Sequence, residues 1–244
     1  MSTDELAPET PANASANERN GSKLPATVEG VLGILVALGG VLAVGIGTAL
    51  GAAVDRETIA DAIEDGDVVA GTEELTAAEG TEVVDTLVSW VETGGFVVGA
   101  GMIVAAVGYL YVRRQARQQA RPGQQPDAFG THALLGAVIG AVFSFIPLAT
   151  GLDGAVAGYF EQSDSSSGHP TRAGAVSGVL LVVPVLVLLA FVLAGLVSGL
   201  QAVGQGDVIG VSVVVLLLAG VVSTAVTAGL GALGGFVGGR IAED

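Results

Sequence analysis

The sequence contains no cysteine and a single lysine, Lys23. The missing thiols exclude disulfides, thiolate metal sites and cysteine nucleophiles, and they leave compartment unreadable from redox chemistry. Basic residues are scarce altogether: 9 Lys and Arg stand against 24 Asp and Glu, for a net charge of -15. The acids are spread over the N-terminal tail and the connecting segments. That is the pattern of a solvated acidic exterior, not of a focused site for a cationic ligand. Charge of either sign is thinnest in the second half, where only Asp153, Glu161, Asp164, Arg172 and Asp207 carry it between Gly130 and Gly239. A stretch so long and so apolar has no solvated helix face, so its solvent is the bilayer. Strict alternation of apolar and polar residues is missing too, which argues against a β-barrel.

Recognisable catalytic signatures are also lacking: there is no G-x-S-x-G, no H-E-x-x-H and no Walker loop. Gly229, Gly231 and Gly234 spell G-x-G-x-x-G, but inside an apolar helix with no preceding strand, where glycines pack instead of cradling phosphate. His132 and His169 are the only histidines and have no third ligand beside them in the sequence, so no metal site is expected. No catalytic residue and no cofactor is expected either.

What is present is a succession of greasy runs. Residues 1–26 form a polar, acidic tail with three prolines (Pro8, Pro11 and Pro25), expected to be disordered, with no basic start of the kind a secretory signal has. Val31 to Val54 is long enough to cross a bilayer uncleaved. Within it Gly39, Ala43, Gly47 and Gly51 recur every four residues, the spacing of a close-packing helix face. Residues 55–93 hold half of the 24 acids and are expected to be an exported loop. In that loop Val83, Val84, Leu87, Val88 and Val91 share one helical face, after Thr81 as a cap and with Trp90 nearby. This reads as a short amphipathic helix resting on the membrane interface. Glu64, Asp65 and Asp67 lack the ligand spacing of a calcium loop.

A second span, Gly94 to Val112, ends at Arg113, Arg114, Arg117 and Arg121, the densest positive charge in the chain. This places the linker 113–129 and the N-terminus in the cytoplasm, and makes 27–112 a two-helix transmembrane hairpin. Four arginines without interleaved aromatics do not make a nucleic-acid surface.

Residues 130–244 form a glycine-rich transmembrane domain. Gly130 to Phe160 is 31 residues, about 46 Å as one helix against a hydrocarbon core of about 30 Å. Pro147, followed by Thr150, Gly151 and Asp153, breaks it into two half-length helices, His132 to Ile146 and Gly154 to Phe160. The block either crosses once or turns back. Crossing once leaves six basic residues inside and three outside, whereas turning back moves Arg172 and Arg240 inside for an eight-to-one split, the more natural distribution. Arg172 to Leu200 is a span with Pro184 near its middle, and Val208 to Gly239 is so long that it must break or protrude. Gly231, Gly235 and Gly239 lie on one face of that last run, as a ridge to be pressed against another helix within the chain or in a second copy.

The motifs S-F-I-P (Ser144 to Pro147), G-x-V-A-G-Y (Gly154 to Tyr159), R-A-G-A-V-S-G (Arg172 to Gly178), the central Pro184 and A-L-G-G-F-V-G-G (Ala232 to Gly239) together resemble an uncharacterised membrane-protein domain of unknown function, widespread in haloarchaea. The likeness covers about the last 110 residues. It implies an extremely halophilic archaeal source and brings no activity with it.

The fold expected is therefore all-α: a polytopic membrane protein with about four full spans and a broken or re-entrant segment. Two functions fit. One is a non-enzymatic integral membrane protein acting through glycine-mediated helix packing at Gly47, Gly51, Gly231, Gly235 and Gly239, with the lipid bilayer and further copies of itself as partners. The other is a small transporter or channel subunit using a polar elbow of Ser144, Thr150, Asp153 and Tyr159. At the interface Asp153 would be a plain helix cap; deep in the bilayer it would line a pocket.

Overall fold

The computed structural model describes residues 26–65, 75–119, 128–143, 149–164 and 168–243, which form seven α-helices and, among the described residues, no strand. In chain order they are α1 (Ala26–Ala53), α2 (Arg56–Glu64), α3 (Ala77–Gln119), α4 (Phe129–Val142), α5 (Ala149–Asp164), α6 (Pro170–Ala202) and α7 (Gly206–Glu243). Four of them, α1, α3, α6 and α7, are long and apolar enough to cross a membrane. The N-terminal tail, the S-F-I-P elbow and Asp67 fall outside the described residues.

The membrane origin of these helices shows in what they bury. Large side chains point outward, with Ile46 69%, Val104 71% and Val211 68% exposed, while Ala133, Ala157 and Ala173 are at 0%. Where lipid competes equally for apolar side chains, helices associate through the close approach that small residues permit.

Helices α1 and α3 run antiparallel. A Cβ placed on Gly40 would sit 2.6 Å from the Gly99 carbonyl, and one on Gly47 would sit 3.1 Å from the Glu92 carbonyl and 3.4 Å from the Gly95 Cα. Gly51 leaves room for the Glu92 carboxylate itself.

The amphipathic segment differs from expectation. Thr81 caps nothing; it lies within α3, its hydroxyl donating to the Ala77 carbonyl at 2.8 Å. The helix starts at a reciprocal cap one turn earlier: the Thr76 backbone N–H and hydroxyl donate to Glu79 at 2.9 and 2.7 Å. From there α3 runs without interruption through the second span. Its apolar face rests on protein: Val83 packs on Gly199 of α6, Leu87 and the Trp90 Cβ on Gly195, and the Trp90 and Phe191 rings lie 6.1 Å apart. The periodicity reports a covered face, and the cover is a glycine groove on another helix.

The C-terminal helices meet backbone to backbone. Successive glycines of α7 face alternately: Gly231 and Gly235 press on Gly174 and Pro170 of α6, and Gly234 and Gly238 on Gly151 and Ala155 of α5. Gly154 and Gly158 of α5 in turn face the carbonyls of Gly231 and Gly235. Helix α7 is one unbroken rod of 38 residues, about 57 Å, so it protrudes instead of breaking.

Helices α4 and α5 turn back on one another. His132 at the start of α4 touches Glu161 and Asp164 at the end of α5, and Gly140 further along α4 meets Asp153 near the start of α5. At 14 residues, about 21 Å, α4 is too short to span alone. The hairpin sets the ends of α5 and α3 and the starts of α1, α4 and α6 at one end of the bundle. Among the described residues, Arg113, Arg114, Arg117, Arg172 and Arg240 lie at that end and Arg56 at the other.

The seams yield a paired prediction. Gly235→Leu would drive a side chain into the Pro170 carbonyl and should destabilise the monomer by at least about 1–3 kcal/mol. Gly101→Ala, in open space, should be neutral or stabilising by about 0.5–1 kcal/mol. Thermal unfolding in detergent, followed by circular dichroism, separates the two.

Candidate functional site

Among the described residues, the buried ionisable groups fall into two clusters and one isolated carboxyl, which depend on glycine or on charge pairing for their existence. The first cluster closes the α1–α3 hairpin. Glu29, in the first turn of α1 where a helix favours an anion, is 5% exposed. It takes Arg113 Nε at 3.0 Å, Arg113 Nη2 at 2.5 Å and Arg117 Nη2 at 2.8 Å. Two of the arginines from which the sequence suggests a cytoplasmic linker are thus committed to an acid 84 and 88 residues earlier. Beside them the Tyr109 hydroxyl donates to Thr131 Oγ1 at 3.1 Å and ties α3 to α4.

The second cluster closes the α4–α5 hairpin at the same end. His132 is 1% exposed, its Nδ1 2.9 Å from Glu161 Oε2 and its Nε2 3.0 Å from Asp164 Oδ2, the latter close but off hydrogen-bond alignment. Its ring stacks on Phe160 with centroids 6.2 Å apart. The carboxylates sit on opposite ring nitrogens, so they clamp the ring and do not converge on a point where a cation would bind. Across the hairpin mouth Arg172 lies over the Phe129 ring, 5.5 Å from its centroid.

Asp153 stands alone, and it is not a cap. It is the fifth residue of α5, in the second turn, at 0% exposure. Two α4 glycines make space for it: a Cβ on Gly140 would lie 2.8 Å from the Asp153 Cβ and 3.0 Å from Oδ2, and one on Gly136 would strike the Asp153 carbonyl. Ser177 of α6, also at 0%, is the polar side chain beside the carboxyl. Neither carboxyl oxygen nor Ser177 Oγ has a partner in hydrogen-bond geometry among the described residues.

Ser144 lies outside the described residues. Thr150 is half-buried at the start of α5, and Tyr159 is 42% exposed, its ring edge-on to Phe160 at 5.6 Å. Of the glycine positions, Gly231 and Gly235 face α6, Gly239 meets the Pro170 ring, Gly47 meets Gly95 and Gly51 meets Glu92. Two apolar grooves open on the outside of the bundle, about 280 Å³ between α1 and α4 and about 500 Å³ between α6 and α7. Asp153 lines neither.

Ser177 and the two ion clusters carry signals that reading along the chain passes over. Ser177 sits between Gly174 and Gly178 in a small-residue stretch, where a hydroxyl faces whatever the glycines admit. Glu29 and Arg113 end adjacent antiparallel runs with opposite charge. His132 and Glu161 lie 15 and 14 positions either side of Pro147, so a hairpin about that proline pairs them.

A polytopic α-helical membrane protein with a turned-back helical hairpin is what this architecture defines. Residues 130–241, from the start of α4 to the end of α7, match a protein family described as a family of unknown function, DUF5518. The matched stretch contains the hairpin, Asp153, Ser177 and the glycine seams that α7 makes with α5 and α6, and it excludes α1 to α3. No curated protein and no solved structure matches the chain.

The two kinds of ion pair should respond differently to neutralisation. Glu29→Gln removes the charge that Arg113 and Arg117 share at a largely buried site and should lower stability by about 1.5–3 kcal/mol. Glu82→Gln removes the exposed pair with Arg56 and should change stability by less than about 1 kcal/mol. Denaturation of both variants in the same detergent checks the contrast.

Proposed function

We propose that the protein is a non-catalytic component of the cell membrane, with a structural or interaction role. The observation that carries this reading is the closure of the interior. The α7 glycines 231, 234, 235, 238 and 239 are used up against α5 and α6, Asp153 is buried at 0% exposure, and both grooves face outward and are apolar. Among the described residues, an acid buried away from both grooves suits a scaffold. Glycine-mediated packing then serves assembly of the single chain, and association between copies uses faces that remain open, such as Gly101 and Gly108 of α3.

In this reading the arginine-rich end of the bundle, with the start of α1, faces the cytoplasm, and α2 with the acidic segment faces outward. The lipid bilayer is the main partner. Nucleic acid is not one, since Arg113 and Arg117 are occupied by Glu29. The acid-rich exterior fits the halophilic archaeal source that the C-terminal resemblance implies.

A second reading, a small transporter or channel subunit, is favoured by one observation: a carboxyl with no partner in the middle of a turned-back hairpin, the kind of element on which transporters build ion sites. Proteoliposomes loaded with a pH-sensitive dye and given proton, sodium or potassium gradients decide between the two. The scaffold reading expects flux no greater than that of empty vesicles. Protein-dependent flux that is lost in Asp153→Asn would establish the second reading instead.

A further inference from the structure

The Asp153 carboxyl raises a question that neither a scaffold nor a carrier answers, namely what neutralises it. An ionised carboxylate without a partner in a medium of low dielectric costs several kcal/mol, far more than a helical hairpin can absorb for nothing. Every helix packed against Asp153 fails to supply a cation. From α4 come Gly136 and Gly140, which have no side chain, and from α6 comes the neutral Ser177. From α7 comes the Gly231 backbone, which packs on Gly154 next along the chain. The titratable groups that pair across the hairpin, His132 with Glu161 and Asp164, lie at the other end of the α4–α5 seam, with Gly136 and Ala157 in between. Arg172 is held over Phe129.

We propose that Asp153 and Ser177 form an occluded proton-binding site, in which a hydron on the Asp153 carboxyl is the ligand and the Ser177 hydroxyl is the hydrogen-bonding group that positions it. A metal cation is the poorer occupant: sodium-like or calcium-like ions require several oxygen donors, and among the described residues one carboxyl and one hydroxyl side chain come together beside two glycines. A proton needs only one oxygen and leaves a neutral acid with one O–H to donate and lone pairs to accept. Ser177 Oγ, itself buried and unpartnered, is able to take that hydrogen bond or return one. The glycines at 136 and 140 then acquire a purpose beyond packing. Any side chain there would fill the space the acid occupies.

This inference goes beyond the scaffold reading and requires no transport. The absence of flux, or a flux of protons, leaves it standing, and its own failure leaves the scaffold intact.

Infrared difference spectroscopy on the full-length protein in lipid, wild type minus Asp153→Asn at neutral pH, tests it. Exposed carboxylates are ionised there and cancel, so a buried neutral acid appears as the loss of one carboxylic C=O band that shifts in deuterated buffer. The expected result is that band, unchanged when sodium or potassium replaces choline in the buffer. Loss of carboxylate bands alone would show an ionised Asp153 and overturn the proposal. Disappearance of the acid band on adding sodium would overturn it in favour of a cation site. Should Asp153→Asn fail to fold, Ser177→Ala serves with the same reagents. Removing the hydroxyl should shift the acid band, because the C=O stretch responds to a hydrogen bond lost at either carboxyl oxygen, and an unmoved or missing band would contradict the assignment.

Discussion

Backbone meeting backbone is the contact on which this structure depends. Lipid solvates leucine and valine as well as another helix does, so burying large apolar side chains offers little reason for helices to associate in a bilayer. Glycine changes the terms by letting two helix axes approach until carbonyls and Cα atoms touch and dispersion contacts multiply. Helix α7 does this on two sides at once. Positions 231 and 235 close against α6 while 234 and 238 close against α5, so a single rod holds the two together. Where the glycines stop the helices part, and leucines of α6 such as Leu186 and Leu189 line an open groove beside Gly220.

That clasp explains how a hairpin too short to span can stay folded. Helix α5 is gripped along Gly154 and Gly158, and α4 lies over it with Gly136 and Gly140 on the contact. At the mouth the grip is polar, with His132 held between two carboxylates, and at depth it encloses an acid. The α1–α3 pair follows the same design, with glycines through the apolar stretch and a Glu29–Arg113–Arg117 lock at the end. Both locks, and five of the six described arginines, lie at one end of the bundle, Arg56 being the sixth. The positive-inside argument therefore acts on the hairpin as a whole.

Much of this was legible from residues alone, for a definite reason. Apolar length is a local property, so the four long helices could be read along the chain. The turn-back of 130–160 followed from a length mismatch and the positions of Arg172 and Arg240. What failed were readings in which a local signal has a distant explanation. Thr150, Gly151 and Asp153 after Pro147 look like a cap, but α5 begins at Ala149 and the acid falls one turn inside, where α4 glycines bury it. Val83 to Val91 look like a face for the interface, but Gly195 and Gly199 lie more than 100 positions away in the chain and cover it. Periodicity shows that a face is buried and not by what.

The central claim is that α4 and α5 enter and leave on the same side, held there by the α7 glycines. The absence of native cysteine makes its test direct, because any introduced thiol is the only one. Gln119→Cys, Gly168→Cys and Ala242→Cys, together with Arg56→Cys, can each be treated in sealed vesicles with a membrane-impermeant maleimide. The account predicts that positions 119, 168 and 242 label from one side of the membrane and position 56 from the other. Labelling of position 168 from the side opposite to 119 would mean that the block crosses once, and would contradict the account.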